Sequence, residues 1–79
     1  MTTWQYMAVM ASTSVQGEKK LIEFDATGDR RDIAWDSSIS AVLQHLNRLG
    51  AQGWDVVNVD PPGSAGGWSV TTYLLKKPS

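Results

Sequence analysis

Residues 37–59 read SSISAVLQHLNRLGAQGWDVVNV, and this stretch decides the fold. Apolar residues recur there at i, i+3, i+4, i+7 and i+10, a period of 3.6 that predicts an amphipathic helix over about residues 37–52. Gly53 suits the left-handed position just beyond a helix end. The β-branched run that follows predicts a strand over about residues 54–60. The apolar stripe of the helix consists of Ile39, Val42, Leu43, Leu46 and Leu49.

The same stretch indicates how the helix begins and which side of it meets water. Asp36 or Ser37 can accept a hydrogen bond from the first free backbone N–H groups, as an N-cap does. Ser40, Gln44 and Arg48 fall opposite the apolar stripe, so we expect them to be solvated.

Strand-forming segments lie on both sides of the helix. We expect strands over about residues 4–12, 20–25 and 68–76, since each is rich in β-branched and aromatic residues. The polar stretch Asp25–Asp36 reads as a loop. Pro61–Gly67 holds two prolines and three glycines and predicts a turn that ends the preceding strand.

The elements then follow one another as ββαββ. We expect one small α+β domain over residues 1–79, with a mostly antiparallel four-stranded sheet and the helix packed on one face. Hairpins at the two ends favour pairing between strands that are neighbours in sequence, while the full strand order stays open.

Composition excludes several classes of protein. The chain has no cysteine, so it has neither a disulfide framework nor a cysteine-based zinc site. Seven Lys+Arg against eight Asp+Glu leave no basic footprint for nucleic acid. No apolar run approaches the ~18 residues of a membrane helix, and no leader pattern is present. We therefore expect a cytoplasmic protein with no membrane or nucleic-acid partner.

Three features resemble one family of small bacterial proteins. They are an opening Trp4-x-Tyr6, the segment Leu46-Asn47-x-Leu49-Gly50-x-x-Gly53-Trp54-Asp55-Val56-Val57, and a closing Tyr73-Leu74-Leu75-Lys76-Lys77. Together they resemble the family catalogued as domain of unknown function 4177, over nearly the whole chain. Asp55 stands where that family usually has glutamate, and the segment Val15–Trp35 is long. The resemblance implies a compact α+β domain and no activity.

Residue types that often carry chemistry here have simpler interpretations. His45 lies on the flank of the apolar stripe and has no recognisable nucleophile or orienting partner, so we expect a half-buried helix residue. The glycine pairs at 50–53 and 63–67 do not precede a helix N-terminus, where phosphate binds. Four aspartates between residues 25 and 36 lack calcium-loop spacing. We expect no catalytic residue, no metal and no cofactor.

The four tryptophans are the unusual feature of so short a chain. Trp54 follows the helix stop and is expected in the core. Tryptophan favours cores, interfaces and ligand pockets alike. We therefore expect a non-catalytic interaction or assembly module. The alternative is a small-molecule binder whose aromatic pocket is built from Trp35, Trp68 and the turn Pro61–Gly67.

Self-association, most simply as a homodimer, follows from the strand patterns. Both sides of the first strand are apolar, yet one helix covers only one face of a sheet. Either a second copy, or another protein, covers the other face, or the segment Val15–Trp35 folds over it within one chain. The candidate binding residues are Trp4, Tyr6, Met7, Val9, Trp35, Trp68 and Tyr73.

Overall fold

The structure, a computed structural model, describes residues 3–78, without the side chains of residues 64 and 65. It confirms a small α+β domain with one helix and an antiparallel sheet. The sheet has five strands instead of the expected four, and the order is βββαββ instead of ββαββ. The elements are β1 (Trp4–Ser14), β2 (Lys19–Phe24), β3 (Arg30–Ala34), α1 (Ile39–Ala51), β4 (Asp55–Ala65) and β5 (Trp68–Pro78).

The sheet has the spatial order β3-β2-β1-β5-β4, and all its strand pairs are antiparallel. The two hairpins expected from the sequence, β1–β2 and β4–β5, are both present. The long pairing of β1 with β5, from Trp4 opposite Pro78 to Ser14 opposite Trp68, joins them. The first and last strands of the chain therefore lie side by side in the centre of the sheet.

The segment expected to be a loop, Asp25–Asp36, contains the third strand. Asp25 reverses the chain, because its Oδ1 accepts hydrogen bonds from the backbone N–H groups of Thr27 and Asp29. Gly28 supplies the left-handed residue of this turn, with φ +88°. β3 then pairs with β2, with an irregularity between Leu21 and Ile22.

The turn between β4 and β5 is much shorter than the predicted Pro61–Gly67. Ala65 pairs with Trp68, so the connection is the two residues Gly66 and Gly67, with φ +58° and +82°. Positive φ at both central positions is the geometry that hairpins with the natural strand twist prefer. Pro61 and Pro62 lie inside β4, between the paired residues Asp60 and Gly63. An edge strand at an irregularity tolerates proline, which cannot donate to the ladder.

The N-cap of α1 is Ser38, one residue beyond the predicted Asp36 or Ser37. Its side-chain oxygen accepts a 3.2 Å hydrogen bond from the Ala41 backbone N–H. Asp36 instead accepts a 2.8 Å hydrogen bond from the backbone N–H of Ser38, which fixes the approach to the cap. At the other end, Gly53 has φ +95°, which confirms the predicted left-handed helix stop.

The helix is rotated relative to the predicted apolar stripe. Its buried residues are Val42, His45 and Leu49, whereas Ile39 and Leu43 are 68% and 51% exposed. Ser40, Gln44 and Arg48 are exposed as expected. The difference arises because a polar residue, His45, takes the central position of the buried face.

One hydrophobic core lies between α1 and one face of the sheet, the covered face. Val42 and Leu49 of the helix pack there against residues of β1, β2 and β5 and against Trp54: Met7, Val9, Leu21 and Leu75. No helix among the described residues has both the length and the apolar character needed to cross a membrane.

Candidate functional site

The opposite face of the sheet has no helix on it. Directly paired residues of an antiparallel sheet point to the same side, so the register identifies this face. Ala8 pairs with Phe24 and Leu74, and Met10 pairs with Ile22 and Thr72. We call this side the open face. Its central strands present Trp4, Tyr6, Ala8, Met10, Ser12, Lys20, Ile22, Phe24, Trp68, Val70, Thr72, Leu74 and Lys76.

The middle of the open face is apolar and its margins are charged. Large apolar side chains are accessible there, with Tyr6 52% and Leu74 38% exposed. The two edge strands contribute polar residues to the same side: Arg30 and Asp32 from β3, and Asp55, Asn58 and Asp60 from β4. An apolar centre inside a polar rim is the usual anatomy of a protein–protein interface.

A shallow depression lies at the centre of the open face. Its volume is about 220 Å³, and its walls include Tyr6, Phe24 and Leu74, with the small Ala8 between them. A depression of this kind can receive a bulky apolar side chain from outside the protein.

Part of the covered face extends beyond the helix, and its residues differ from those of the open face. α1 has 13 residues and β1 has 11, so the helix is ~20 Å long against ~37 Å for the strand. Beyond the helix the covered face carries Thr13, which pairs with Ser69, and Thr71, which pairs with Ala11. Along β4 the same face exposes valine instead, with Val56 43% and Val59 48% exposed.

The candidate binding residues divide between the two faces. Trp4, Tyr6 and Trp68 lie on the open face. Met7 and Val9 are buried in the core beneath α1, and Tyr73 packs against that core partly buried. An external partner therefore has no access to Met7 or Val9. A single sequence does not say which side of β1 the helix covers, because both sides are apolar.

Trp35 and Trp68 are brought together by Lys20. The Lys20 Nζ lies 5.1 Å from the centre of the Trp35 ring and 5.5 Å from that of Trp68. Both distances are within the ~6 Å of a cation–π contact. A cleft of about 250 Å³ adjoins this group and is lined by Ser12, Lys20, Ile22, Arg30 and Trp68. Trp35 and the turn Pro61–Gly67 were both expected to form this pocket, but neither is among the residues described as lining the cleft.

The other two tryptophans, Trp4 and Trp54, also make cation–π contacts with lysine. Lys76 Nζ is 4.0 Å from the ring centre of Trp4, and Lys77 Nζ is 4.8 Å from that of Trp54. Structures contain about one strong cation–π contact per 70–80 residues. The described part of this chain therefore has several times the usual density, and Lys20 alone is shared by two rings.

A buried polar pair, Glu23 and His45, was not predicted. The two residues are 5% and 6% exposed, and His45 Nε2 lies 2.9 Å from Glu23 Oε1. An ionised carboxylate only accepts, so the imidazole N–H is the donor. Arg31 Nη1 is 3.9 Å from the other carboxylate oxygen. His45 Nδ1 is buried without a hydrogen-bond partner among the described residues.

The environment of this pair indicates a structural role. Two small clefts beside it, of about 310 and 190 Å³, are lined by no cysteine or serine among the described residues. The one hydroxyl there, that of Thr27, donates to Asp25 at 2.6 Å. Among the residues described as lining these clefts, no hydroxyl or thiol nucleophile other than Thr27 lies beside the imidazole. The sequence did contain a sign of this pair: Glu23 is two residues after the apolar Leu21 in β2, so both side chains lie on the same face of the strand, the core side.

The aspartates expected to be solvated have local structural roles. The hydroxyl of Thr27, with backbone N–H groups and Arg31, holds the pKa of Asp25 below its ordinary value of 3.8. The backbone N–H of Ser38 lowers the pKa of Asp36 in the same way. No group of three or more metal-ligating side chains that could hold a metal is found within the described residues.

The sequence matches no protein-family model and no curated protein. The resemblance to domain of unknown function 4177 therefore stays a prediction. The proposals for function are based on the open face and on the group formed by Lys20, Trp35 and Trp68.

Proposed function

We propose that this protein is a non-catalytic assembly module that forms a homodimer through its open face. The observation that supports this most directly is an apolar sheet face that no helix or loop of residues 3–78 covers. Apolar patches of more than a few hundred Å² are rare on monomeric soluble proteins and usually mark an interface. The segment Val15–Trp35, the intramolecular alternative, provides no cover, because β2 and β3 lie within the sheet.

The open face is large enough for a dimer. Five strands of 5 to 11 residues, ~4.8 Å apart, span roughly 700 Å². A face-to-face pair would bury about twice that area, which is close to the lower end for stable protein–protein interfaces. Tyr6, Trp4 and Trp68 are the residue types that contribute most binding energy in such interfaces.

The edge strands of the sheet disfavour a dimer in which two sheets join edge to edge. β3 is only five residues long and carries Arg30, Arg31 and Asp32. β4 is interrupted by two irregularities in its pairing and by Pro61 and Pro62. Short, charged or proline-bearing edge strands resist pairing with another chain. Association through the faces of the sheets is therefore favoured over extension of the sheet.

Light scattering coupled to gel filtration tests the dimer. We expect a mass of two chains at tens of micromolar, and a folded monomer for Leu74→Asp, because a carboxylate in the centre of the interface must be desolvated. Leu43→Asp is the matched control: Leu43 is 51% exposed on the outer side of α1, and its substitution leaves the dimer intact.

Two results would reject this proposal. One is a wild-type monomer at tens of micromolar. The other is a Leu74→Asp protein that remains a dimer with a native circular dichroism spectrum, which would place the interface elsewhere. Met7→Asp and Val9→Asp are unsuitable variants, because both residues are in the core.

The small-molecule binder remains the second candidate function. The observation that favours it is the convergence of Trp35 and Trp68 on one lysine beside a cleft of about 250 Å³. Pockets for small ligands are concave, largely apolar, and contain a few placed polar groups. Ser12, Lys20 and Arg30 supply those polar groups here.

A further inference from the structure

We propose that Trp35 and Trp68 form a clamp for an organic ammonium ion, and that Lys20 fills this clamp when no such ligand is bound. This inference rests on the second proposed function, ligand binding at these two tryptophans, and adds the chemical class of the ligand. We call Trp35 and Trp68 the tryptophan clamp.

The clamp is assembled from three separate parts of the chain. Lys20 belongs to β2, Trp68 begins β5, and Trp35 directly follows β3. Lys20 of β2 and Trp68 of β5 lie on the two sides of β1. Lys20 pairs with Ser12 and Trp68 pairs with Ser14, so both side chains are on the open face. The two rings therefore approach the same ammonium group from different strands.

The contacts of Lys20 show which chemistry the clamp accepts. Its ammonium lies within 5.5 Å of both ring centres. None of the salt bridges among the described residues involves Lys20. The aromatic faces, and no carboxylate, thus hold this cation. Ring faces attract cations through their negative electrostatic potential.

The surroundings favour an alkylated ammonium over other cations. A metal ion needs oxygen, nitrogen or sulfur ligands, which ring faces do not offer. An alkylated ammonium is weakly hydrated and places its methyl groups against the rings. Arg30 in the adjoining cleft would repel a second cation, but its Nε lies 3.2 Å from Asp32 Oδ1, which neutralises it.

Lys20 competes with any external ligand of this kind. A tethered group acts at an effective concentration in the millimolar range. Because Lys20 occupies the clamp in the structure, its effective concentration is at least comparable to its own dissociation constant from the rings. Removal of the lysine side chain should therefore strengthen binding of a free ammonium ion by at least about twofold. Trp35 is 76% exposed in the single chain, so the clamp of a monomer is accessible from outside once Lys20 leaves.

The test is a titration followed by the indole N–H signals in ¹H–¹⁵N correlation spectra. The chain has four tryptophans, so single substitutions assign every signal. All proteins carry Leu74→Asp, which keeps the clamp accessible whether or not the parent protein dimerises. The probes are choline and its uncharged analogue, in which a carbon atom replaces the nitrogen.

We expect choline to shift the Trp35 and Trp68 signals of Lys20→Ala, with a Kd at least about twofold lower than with Lys20 present. The buried Trp54 signal should not move. Lys19→Ala is the matched control, since it removes the same charge from the neighbouring residue and should leave the Kd unchanged. Trp35→Ala, added to Lys20→Ala, should raise the Kd between about 2-fold and 30-fold.

Each contrary result overturns a defined part of the inference. Equal binding of the uncharged analogue would overturn the cation class and leave the aromatic pocket standing. No shift with either probe would overturn both the clamp and the ligand-binding function, without bearing on the dimer. A trimethyllysine peptide distinguishes the sources: at least tenfold tighter binding than choline indicates a protein side chain, and equal binding a free small molecule.

Discussion

At the scale of single residues, the Glu23–His45 pair sets the position of the helix on the sheet. The two side chains are 22 residues apart in sequence and meet at 2.9 Å inside an otherwise apolar layer. A buried polar pair can bond in only one arrangement, whereas Leu and Val side chains pack in several. The rotation of α1, with Ile39 and Leu43 turned outward, follows from the placement of His45 above β2.

We expect strong coupling between Glu23 and His45 in chemical unfolding. His45→Leu leaves a buried carboxylate without its donor and should lower the free energy of unfolding by about 3 kcal/mol. Glu23→Leu should have a comparable effect, because the imidazole N–H then has no acceptor. The double variant should recover most of this loss, since neither polar group remains.

Urea unfolding of the four proteins measures the coupling as a double-mutant cycle. Glu18→Leu, an exposed glutamate in the β1–β2 connection, is the control and should change the free energy by less than about 0.5 kcal/mol. Additive single effects would show that the two residues do not act as a pair.

At the scale of elements, the sequence predicts those whose pattern depends on local spacing alone. The helix, both hairpins and the Gly53 stop follow from periodicity and glycine position. β3 was missed because an edge strand of Arg30, Arg31 and Asp32 has no apolar alternation. The β4–β5 turn was misplaced because prolines usually end a strand, and their tolerance depends on β4 being an edge, which is a property of the whole sheet.

Only part of the candidate site could be predicted from the sequence, for the same reason. The importance of the tryptophans was visible from their number. Two or three of the four were expected in the core, but only Trp54 is buried there, and Trp4 and Trp35 are exposed. The sharing of Lys20 by Trp35 and Trp68 was not expected, since it depends on the register between β2, β1 and β5. Glu23 was overlooked because a single charged residue in a short strand is ordinarily solvated.

Two glycines near the end of α1 should respond to alanine with opposite signs. Gly53 has φ +95°, and a Cβ there would meet no atom within 4 Å, so backbone strain is the only penalty. Gly53→Ala should lower the free energy of unfolding by about 1–2 kcal/mol. Gly50 lies inside the helix without a positive φ and also has open space around it. Gly50→Ala should therefore raise the free energy by about 0.5–1 kcal/mol.

Thermal and urea unfolding of these two variants measures both changes. Equal and same-signed effects at positions 50 and 53 would contradict the assignment of Gly53 as the left-handed helix stop.

At the scale of the whole molecule, the distribution of side chains separates three kinds of surface. Sheet under the helix is apolar. Beyond the helix the same face carries serine and threonine on β1 and β5 and exposed valine on β4. The open face is apolar and has no helix on it among the described residues. The edges are charged or interrupted by proline. In a small domain, whose own core is thin, a second apolar layer between two copies adds burial that one chain cannot supply.

A dimer formed in this way makes thermal stability depend on protein concentration. Subunits that associate only when folded shift the unfolding equilibrium by mass action, so dilution favours the unfolded chain. A dilution of about a hundredfold changes the balance by ~2.7 kcal/mol per dimer, or ~1.4 kcal/mol per chain, which lowers the Tm of a domain of this size by roughly 5–10 degrees. The monomeric Leu74→Asp variant is the control, and its Tm should be the same at both concentrations. A wild-type Tm that does not change on dilution would contradict the dimer, because no mechanism that buries the open face between two copies leaves unfolding independent of concentration.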